Sequence, residues 1–297
     1  MACFCFWGCN DRAITDLLAD IGGRAGHTAA AISSCACAPG IEYMLTDVRP
    51  SKTPEELEIE KQAVANAALR FVRTGMLVGL GTGSTANYFL NILGQAVRSR
   101  ALKIEAIATS LHTAERARNL SIAIVEPRRG LHPDITIDGA DQIAPDLSLI
   151  KGAGGALLRE KIVAHASLRF LVIADSSKRV EQLGRRPVPV EVTPFATPWV
   201  MDDIGRLQGK PVLRMDALKP YHPFLTDQQN HLLDCDFGLI ADPKSLAVAL
   251  DAIPGVAGHG LFLGLTHAAL VADGDQIMIL RPNKIPSPIM KGDLTLD

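Results

Sequence analysis

Between residues 76 and 177 the sequence alternates short apolar segments with segments of helical periodicity, and this alternation limits the possible folds most strongly. The apolar segments span residues 76–80, 103–110, 121–125, 134–141, 147–151 and 169–177. Helical patterns lie near 85–98 and 112–119. Because strands that alternate with helices pair in parallel and are covered on both faces, the sequence predicts an α/β fold with a doubly wound, mostly parallel, Rossmann-like sheet.

The ordered chain is predicted to begin with a helix at Thr53. Thr53 is a suitable cap, Pro54 fits the first helical position, and Glu56 completes a capping box. Residues 1–52 are interpreted as a disordered leader, which carries five of the six cysteines. Since Cys235 is alone in the rest of the chain, no disulfide framework holds the main body, and a reducing, cytoplasmic location is expected.

A second, smaller domain is predicted from residue 184, where the proline-rich segment "GRRPVPVEVTPFATP" begins. The order strand, helix, strand, strand, helix, strand over 184–263 is typical of a split β-α-β, ferredoxin-like α+β unit. The final "HAALVADGDQIMIL" is interpreted as a hairpin that returns to the first domain. The predicted catalytic α/β domain therefore combines 53–183 with about 264–285.

The charge and hydropathy of the chain exclude two classes of partner. With 30 basic and 32 acidic residues, the formal net charge is −2, so no global field attracts nucleic acid or an anionic membrane. No apolar run approaches the ~18–20 residues of a membrane span. An anionic ligand must therefore be held by local groups, and neither nucleic acid nor membrane is expected as a partner.

The segment "GLGTGSTA" (79–86) predicts a phosphate site, since it follows a strand and opens a helix whose N–H groups attract anions. Its spacing also fits a dinucleotide fingerprint, but the next strand ends in Thr109 and Ser110 instead of an acid. A P-loop is excluded because the Gly-Lys-Ser/Thr sequence is missing. The remaining alternative is a tight turn that serves packing only.

Two further segments place charged side chains at predicted strand ends. Asp138 and Asp141 flank a turn in "IDGAD", although aspartates are also common in purely structural turns. Lys151 ends a strand and precedes "GAGG", which offers exposed N–H groups before the next helix. Two anion-friendly helix starts in one sheet indicate a ligand with two electron-rich ends.

Glu160 lies in an otherwise apolar helix pattern and is a candidate general base. Its neighbours three and four positions away are Ala156, Leu157, Val163 and Ala164. Since none is basic, the pattern indicates a buried carboxyl group with a raised pKa. The alternative is a partly exposed helix charge flanked by Arg159 and Lys161.

Taken together, "GLGTGSTA", "IDGAD", "IKGAGGALLREKIVA" and "ADSSK" resemble ribose-5-phosphate isomerase type A. The resemblance spans about residues 53 to 280 and includes "PVPVEV", "TDQQN" and "IPGVAGHGLF". It implies interconversion of D-ribose 5-phosphate and D-ribulose 5-phosphate through an enediolate, in the non-oxidative pentose phosphate pathway. It also implies that no metal or nucleotide cofactor is used and that the chain forms a homodimer or homotetramer.

The resemblance assigns roles to individual positions. It makes Glu160 the general base, Asp138 the acid at the sugar oxygens and Lys151 the group that stabilises oxyanion charge. The implied substrate-binding residues are Thr82, Gly83, Ser84, Thr85, Asp138, Gly139, Ala140, Asp141, Lys151, Gly152, Ala153, Gly154 and Lys178. Lys61 is a further candidate phosphate contact.

The chain departs from the family pattern at Gln142, where the family usually has glutamate, and at Ala153, which interrupts the glycine run. Alanine would be strained at 153 if that position needs a positive φ. Two other classes stay open: a non-catalytic sugar-phosphate sensor and a CoA-transferase-like enzyme. A sensor of the transcription-regulator type would need a DNA-reading module, and the first 50 residues carry no helix-turn-helix pattern.

Overall fold

The structure is a computed structural model that describes residues 52–219 and 221–290. The predicted leader lies outside the described residues except for Lys52, so its disorder stays a prediction. Helix α1 (Pro54–Ala68) has the expected capping box. The hydroxyl of Thr53 accepts from the N–H of Glu56, while the Glu56 carboxylate accepts from the N–H of Thr53.

Five more α-helices and three short 3₁₀ turns follow in the described part of the chain. The helices are α2 (Ser84–Arg98), α3 (Leu111–Asn119), α4 (Leu157–Ala166), α5 (Thr197–Arg206) and α6 (Pro243–Asp251). The 3₁₀ turns are Leu69–Phe71, Ser176–Lys178 and Pro194–Ala196. Among these helices, none combines the length and apolar character needed to cross a bilayer.

The strands of the described residues form three sheets. The eight-stranded sheet contains β1 (Leu77–Leu80), β2 (Glu105–Ala108), β3 (Ala123–Ile124), β4 (Ile135–Asp138), β7 (Phe170–Ala174), β13 (Ala268–Asp273), β14 (Gln276–Leu280) and β15 (Ser287–Pro288). The four-stranded sheet contains β8 (Val188–Val192), β9 (Lys210–Leu213), β10 (His231–Asp236) and β11 (Val256–His259). The three-stranded sheet contains β5 (Gln142–Ile143), β6 (Leu149–Ile150) and β12 (Leu261–Phe262).

The large sheet confirms the predicted parallel architecture. Its order is β15-β14-β13-β7-β4-β1-β2-β3, and the pairs from β13 to β3 are parallel. Alternate residues of β7 enter opposite cores: Leu171 and Ile173 pack in one, Phe170 and Val172 in the other. Both faces are therefore covered, and the polar residues at the carboxyl ends of the strands lie along one edge.

The four-stranded sheet has the predicted α+β order. Its neighbours run β11-β8-β10-β9, all antiparallel, with α5 between β8 and β9 and α6 between β10 and β11. Val188, Val190 and Val192 are fully buried in its core. The hairpin of β13 and β14 turns at Gly274 and joins the large sheet beside β7, as the sequence predicts.

Two predicted strands differ from the structure. Residues 147–151 do not extend the parallel sheet, because Leu149–Ile150 pairs antiparallel with β5 and β12. The segment 256–263, predicted as one strand, is divided at Gly260 between two sheets. A Cβ on Gly260 would lie 2.2 Å from the carbonyl oxygen of Lys151, so only glycine permits this close approach.

Glu60 of α1 is buried and joins three segments beside the large sheet: the chain before α1, the turn after β7 and the β13–β14 hairpin. Its carboxylate pairs with Lys52 and accepts from the N–H and hydroxyl of Ser176, at 2.9 and 2.8 Å, and from the N–H of Gly274 at 3.1 Å. Burial alone would raise the pKa of Glu60, but these hydrogen bonds hold the pKa below its usual range. Glu60 therefore contributes stability as a carboxylate.

We predict that Glu60→Gln lowers the free energy of unfolding by about 2–4 kcal/mol at neutral pH, since a neutral amide leaves charged hydrogen bonds unmade. Denaturant unfolding measures this loss. Because the folded-state pKa is depressed, the contribution is present above the ordinary carboxyl range and is lost as the pH falls through the folded pKa. The difference between the two proteins should therefore shrink in acid.

Glu55→Gln on the exposed face of the same helix is the matched control and should change stability by less than about 0.5 kcal/mol. A Glu60→Gln protein as stable as this control at neutral pH would contradict the role given to the carboxylate.

Candidate active site

The glycine-rich turn between β1 and α2 is shaped by contact with Asp138. A Cβ on Gly81 would lie 2.1 Å from the Asp138 carboxylate, and Gly83 has a φ of 128°. Glycine is therefore required at both positions. The N–H of Thr82 donates to Oδ1 of Asp138 at 3.1 Å, which joins the turn to the end of β4.

The hydroxyl groups of this turn are used differently. The Thr82 hydroxyl lies 2.9–3.0 Å from the hydroxyl groups of Thr109, Ser110 and Thr113, so it belongs to a network at the start of α3. Ser84, the first residue of α2, is exposed, whereas Thr85 is buried. An anion at the amino end of α2 would therefore meet Ser84 and backbone N–H groups first.

Asp138, Lys151 and Glu160 meet at the carboxyl edge of the large sheet. Lys151 Nζ lies 3.0 Å from Oδ2 of Asp138 and 3.3 Å from Oε1 of Glu160, and it donates to the carbonyl of Gly139 at 2.6 Å. All three charged side chains are at least 96% buried. Three separate segments thus bring two carboxyl groups and one ammonium group together.

Burial and the shared charge shift the pKa of each group. Burial, and then the negative charge of Asp138, raises the pKa of Glu160 to about 8 despite the opposing effect of Lys151. Burial raises the pKa of Asp138 also, against the attraction of Lys151. Although burial opposes its charge, the two carboxylates raise the pKa of Lys151, which stays an ammonium group.

The two oxygens of the Glu160 carboxyl group differ in their contacts. Oε2 is buried and has no hydrogen-bond partner among the described residues. The helix contains no cationic neighbour for Glu160, as the sequence predicts, but Lys151 supplies one from the end of β6. The group is therefore a buried, raised-pKa carboxyl with one oxygen oriented by a cation and the other available.

The loop from Gly152 to Gly155 follows Lys151 and leads into α4. Gly152 and Gly155 have φ values of 109° and 78°, whereas Ala153 is outside the positive-φ region. Alanine at 153 therefore carries no backbone strain, and this departure from the family pattern is accommodated. The N–H of Ala153 donates to Oδ2 of Asp141 at 2.9 Å, which gives Asp141 a place beside the loop.

The remaining predicted positions are distributed around this group. Gly139 and Ala140 continue directly from Asp138 and are half-buried. Gln142 is buried, and its side-chain oxygen accepts from the N–H of Gly184 at 2.9 Å. Lys178 lies in the turn after β7, partly exposed, and its ammonium group makes no ion pair with the described residues.

Sequence reasoning missed several neighbours of the site. The ring centroid of Phe262 lies 5.6 Å from Nζ of Lys151 and 5.2 Å from Nζ of Lys161. The N–H of Lys151 donates to the carbonyl of Gly260 at 2.9 Å. Gly260 and Phe262 both belong to the segment "GHGLF". Its glycines were the available sequence signal that another backbone approaches closely there.

Comparison with known proteins identifies the family of this chain. The family model for ribose 5-phosphate isomerase A (phosphoriboisomerase A) matches residues 105–276. A protein of Roseiflexus castenholzii named ribose-5-phosphate isomerase A is 48% identical over 222 residues, which cover 74% of this chain and 94% of that protein.

Two solved structures are similar to this chain in three dimensions. Ribose 5-phosphate isomerase A from Methanocaldococcus jannaschii is 36% identical with a TM-score of 0.72, over 75% of this chain and 99% of that one. A D-ribose-5-phosphate isomerase in complex with phospho-erythronic acid is 34% identical with a TM-score of 0.73, over 76% and 99% of the two chains. By sequence and by fold, the chain belongs to the ribose 5-phosphate isomerase A family.

Proposed function

We propose that Asp138, Lys151 and Glu160 form the site at which this aldose–ketose isomerase interconverts D-ribose 5-phosphate and D-ribulose 5-phosphate. The observation that carries the proposal is the state of Glu160: buried, oriented through Oε1 by Lys151, and with Oε2 unpaired among the described residues. A site that only bound a sugar phosphate would not need a raised-pKa base. No comparison supports the sensor alternative.

In the proposed mechanism, Oε2 of Glu160 takes the proton from C2 of the open-chain aldose, and the electron pair moves through C1 to the aldehyde oxygen. The product is an enediolate. Asp138 passes the hydroxyl proton from O2 to O1, and Glu160 returns its proton to C1 to give the ketose. Lys151 and the N–H of Gly154 stabilise the oxyanion while it exists, since the N–H groups of Ala153 and Gly155 donate to Asp141 and to the Gly152 carbonyl.

The substrate phosphate is proposed to bind at the turn of residues 81–85. The exposed Ser84 at the start of α2 and the positive end of the helix dipole support this assignment. Thr82, Gly83 and Thr85 are proposed to shape the turn. Lys178 is proposed as a basic contact because its turn follows β7, which neighbours β4 at the same sheet edge.

The larger organisation is also proposed. Residues 53–183 with about 264–285 would form the catalytic domain, and 184–263 the smaller one. Assembly as a homodimer or homotetramer, a cytoplasmic location and the absence of nucleic-acid and membrane partners belong to the same proposal. Light scattering after size-exclusion chromatography and cell fractionation test the assembly and the location.

Glu160→Gln should lower kcat by about 10²–10⁴-fold, because the amide keeps the shape of the side chain but accepts no proton. KM should change little. Wild-type enzyme should exchange the transferred hydrogen with deuterated solvent to some extent, and the variant should lose exchange and isomerisation in parallel.

The matched control is Glu115→Gln, which replaces an exposed glutamate on α3. A Glu160→Gln enzyme with more than about a tenth of wild-type kcat, chemistry being rate-limiting, would move the search for the base to Asp138 or Asp141.

The rate should also depend on pH in a direction set by Glu160. Since the base must be deprotonated and its pKa is raised to about 8, kcat/KM should increase with pH on its acid limb, by about tenfold per pH unit, and level off above that region. The apparent pKa belongs to the coupled group of charges. A midpoint within the ordinary carboxyl range, near pH 4 to 5, would be inconsistent with the proposed base.

Replacing Ser84 and Thr85 together with alanine should raise KM for ribose 5-phosphate far more than KM for unphosphorylated ribose. The reason is that the exposed Ser84 hydroxyl would donate to the phosphate alone, while Thr85 supports the turn that presents the backbone N–H groups to it. Ser99→Ala, at the other end of the same helix, provides the control. Equal losses for the two sugars would instead assign the turn a packing role.

A further inference from the structure

Arg214, which follows β9, connects the four-stranded sheet to the loop beside the proposed base. Its Nε donates to Oδ2 of Asp234 at 2.9 Å, and its Nη2 pairs with the other oxygen of the same carboxylate. The remaining nitrogen, Nη1, donates to the carbonyl oxygens of Gly152 at 3.2 Å and Ala153 at 3.0 Å. One guanidinium group thus holds a carboxylate on one side and two consecutive loop carbonyls on the other.

These contacts determine where the loop N–H groups point. The described peptide bonds are all trans, so the C=O and N–H of each peptide unit point in opposite directions. The unit between 152 and 153 is held at both ends, by Arg214 at its carbonyl and by Asp141 at its N–H. The next unit is held by Arg214 at the Ala153 carbonyl, so the N–H of Gly154 points away from Arg214.

Gly154 itself lies beside the turn assigned to the phosphate. Gly154 is exposed, and a Cβ placed on it would lie 3.8 Å from the methyl group of Thr82, in the turn assigned to the phosphate. Among the described residues, this N–H has no acceptor. The group is therefore a free donor at the crevice between the two anion-binding segments.

Phe224 supports the other side of the same loop. A Cβ on Gly155 would lie 2.5 Å from the Phe224 ring, so the ring packs directly on the glycine backbone. The Phe224 ring centroid is 5.9 Å from the guanidinium carbon of Arg214, and the Phe224 N–H donates to the Arg214 carbonyl at 2.8 Å. Arg214 and Phe224 are therefore connected to each other and contact the loop from the same part of the chain.

We propose that Arg214 is a positioning residue for the isomerisation: by fixing the carbonyls of Gly152 and Ala153, it turns the N–H of Gly154 toward the oxyanion of the enediolate. The inference rests on the proposed function of the site. Nε, Nη1 and Nη2 of Arg214 are all engaged by Asp234 and the loop carbonyls, so the role assigned to Arg214 is exerted through the loop. Since its charge is paired with Asp234, its effect comes through loop geometry.

The test uses the full-length chain with Arg214→Ala, Arg214→Lys and, as a matched arginine–aspartate control, Arg206→Ala on α5. Arg206 pairs with Asp203, is 75% exposed and does not contact the loop. Removing a single oxyanion donor typically lowers kcat by about 10²–10³-fold, so a misdirected donor in Arg214→Ala should lower kcat by about 10–100-fold. Arg214→Lys should recover only part of this loss, because one ammonium group does not reproduce the fork.

Inhibition by phospho-erythronic acid separates positioning from folding. Its carboxylate carries the planar negative charge of an enediolate, so Ki should rise in Arg214→Ala by about the factor by which kcat falls, while KM changes by less than about threefold. A folding defect would reduce the amount of active enzyme and leave Ki unchanged. Arg206→Ala should match the wild type in all three constants.

Arg214→Ala with kcat and Ki within about twofold of the wild type, or with a lower kcat and an unchanged Ki, would overturn the inference. Glu160→Gln is measured in parallel, so that the two proposals fail separately. If Glu160→Gln abolishes solvent exchange while Arg214→Ala has normal Ki, the proposed base stands and only the positioning role is lost.

Discussion

The buried ammonium group of Lys151 is the contact on which the rest of the site depends. It lies between Asp138 and Glu160, and all three groups are removed from water. Burying three charges is unfavourable unless they neutralise one another, and one cation cannot neutralise two carboxylates. Burial, and then the surplus negative charge, raises the pKa of Glu160, so the arrangement that stabilises the site also prepares a carboxyl group to exchange protons.

Close backbone contact makes this arrangement possible. A side chain on Gly81 would collide with Asp138, and one on Gly260 would collide with the Lys151 backbone. The two glycines let the β1 turn and the β11–β12 segment approach the charged group from different sheets. The requirement for glycine at 81 and 260 is therefore steric, and neither residue is assigned a step in the chemistry.

The sequence predicted those parts of the fold that depend on local patterns. The parallel sheet and the hairpin at Gly274 follow from periodicity and turn residues, and the structure confirms both. The three-stranded sheet was missed because two-residue strands have no periodicity and find their partners only through tertiary contacts. For the same reason, helix spacing identified Glu160 as isolated within α4 but did not reveal Lys151 as its partner.

The large sheet alone does not hold the loop beside the proposed base. Asp141 supplies an acceptor for one loop N–H, and the Gly155 N–H donates to the Gly152 carbonyl within the loop. Among the described residues, the Ala153 carbonyl receives its donor from Arg214, next to the four-stranded sheet, which also donates to the Gly152 carbonyl. A loop held only through its N–H groups could rotate its peptide planes, and its remaining N–H groups would then form hydrogen bonds within the loop. When the carbonyls are held, the N–H group on the opposite side of the peptide unit is directed outward. The four-stranded sheet therefore contributes to the site by placing Arg214 beside this loop.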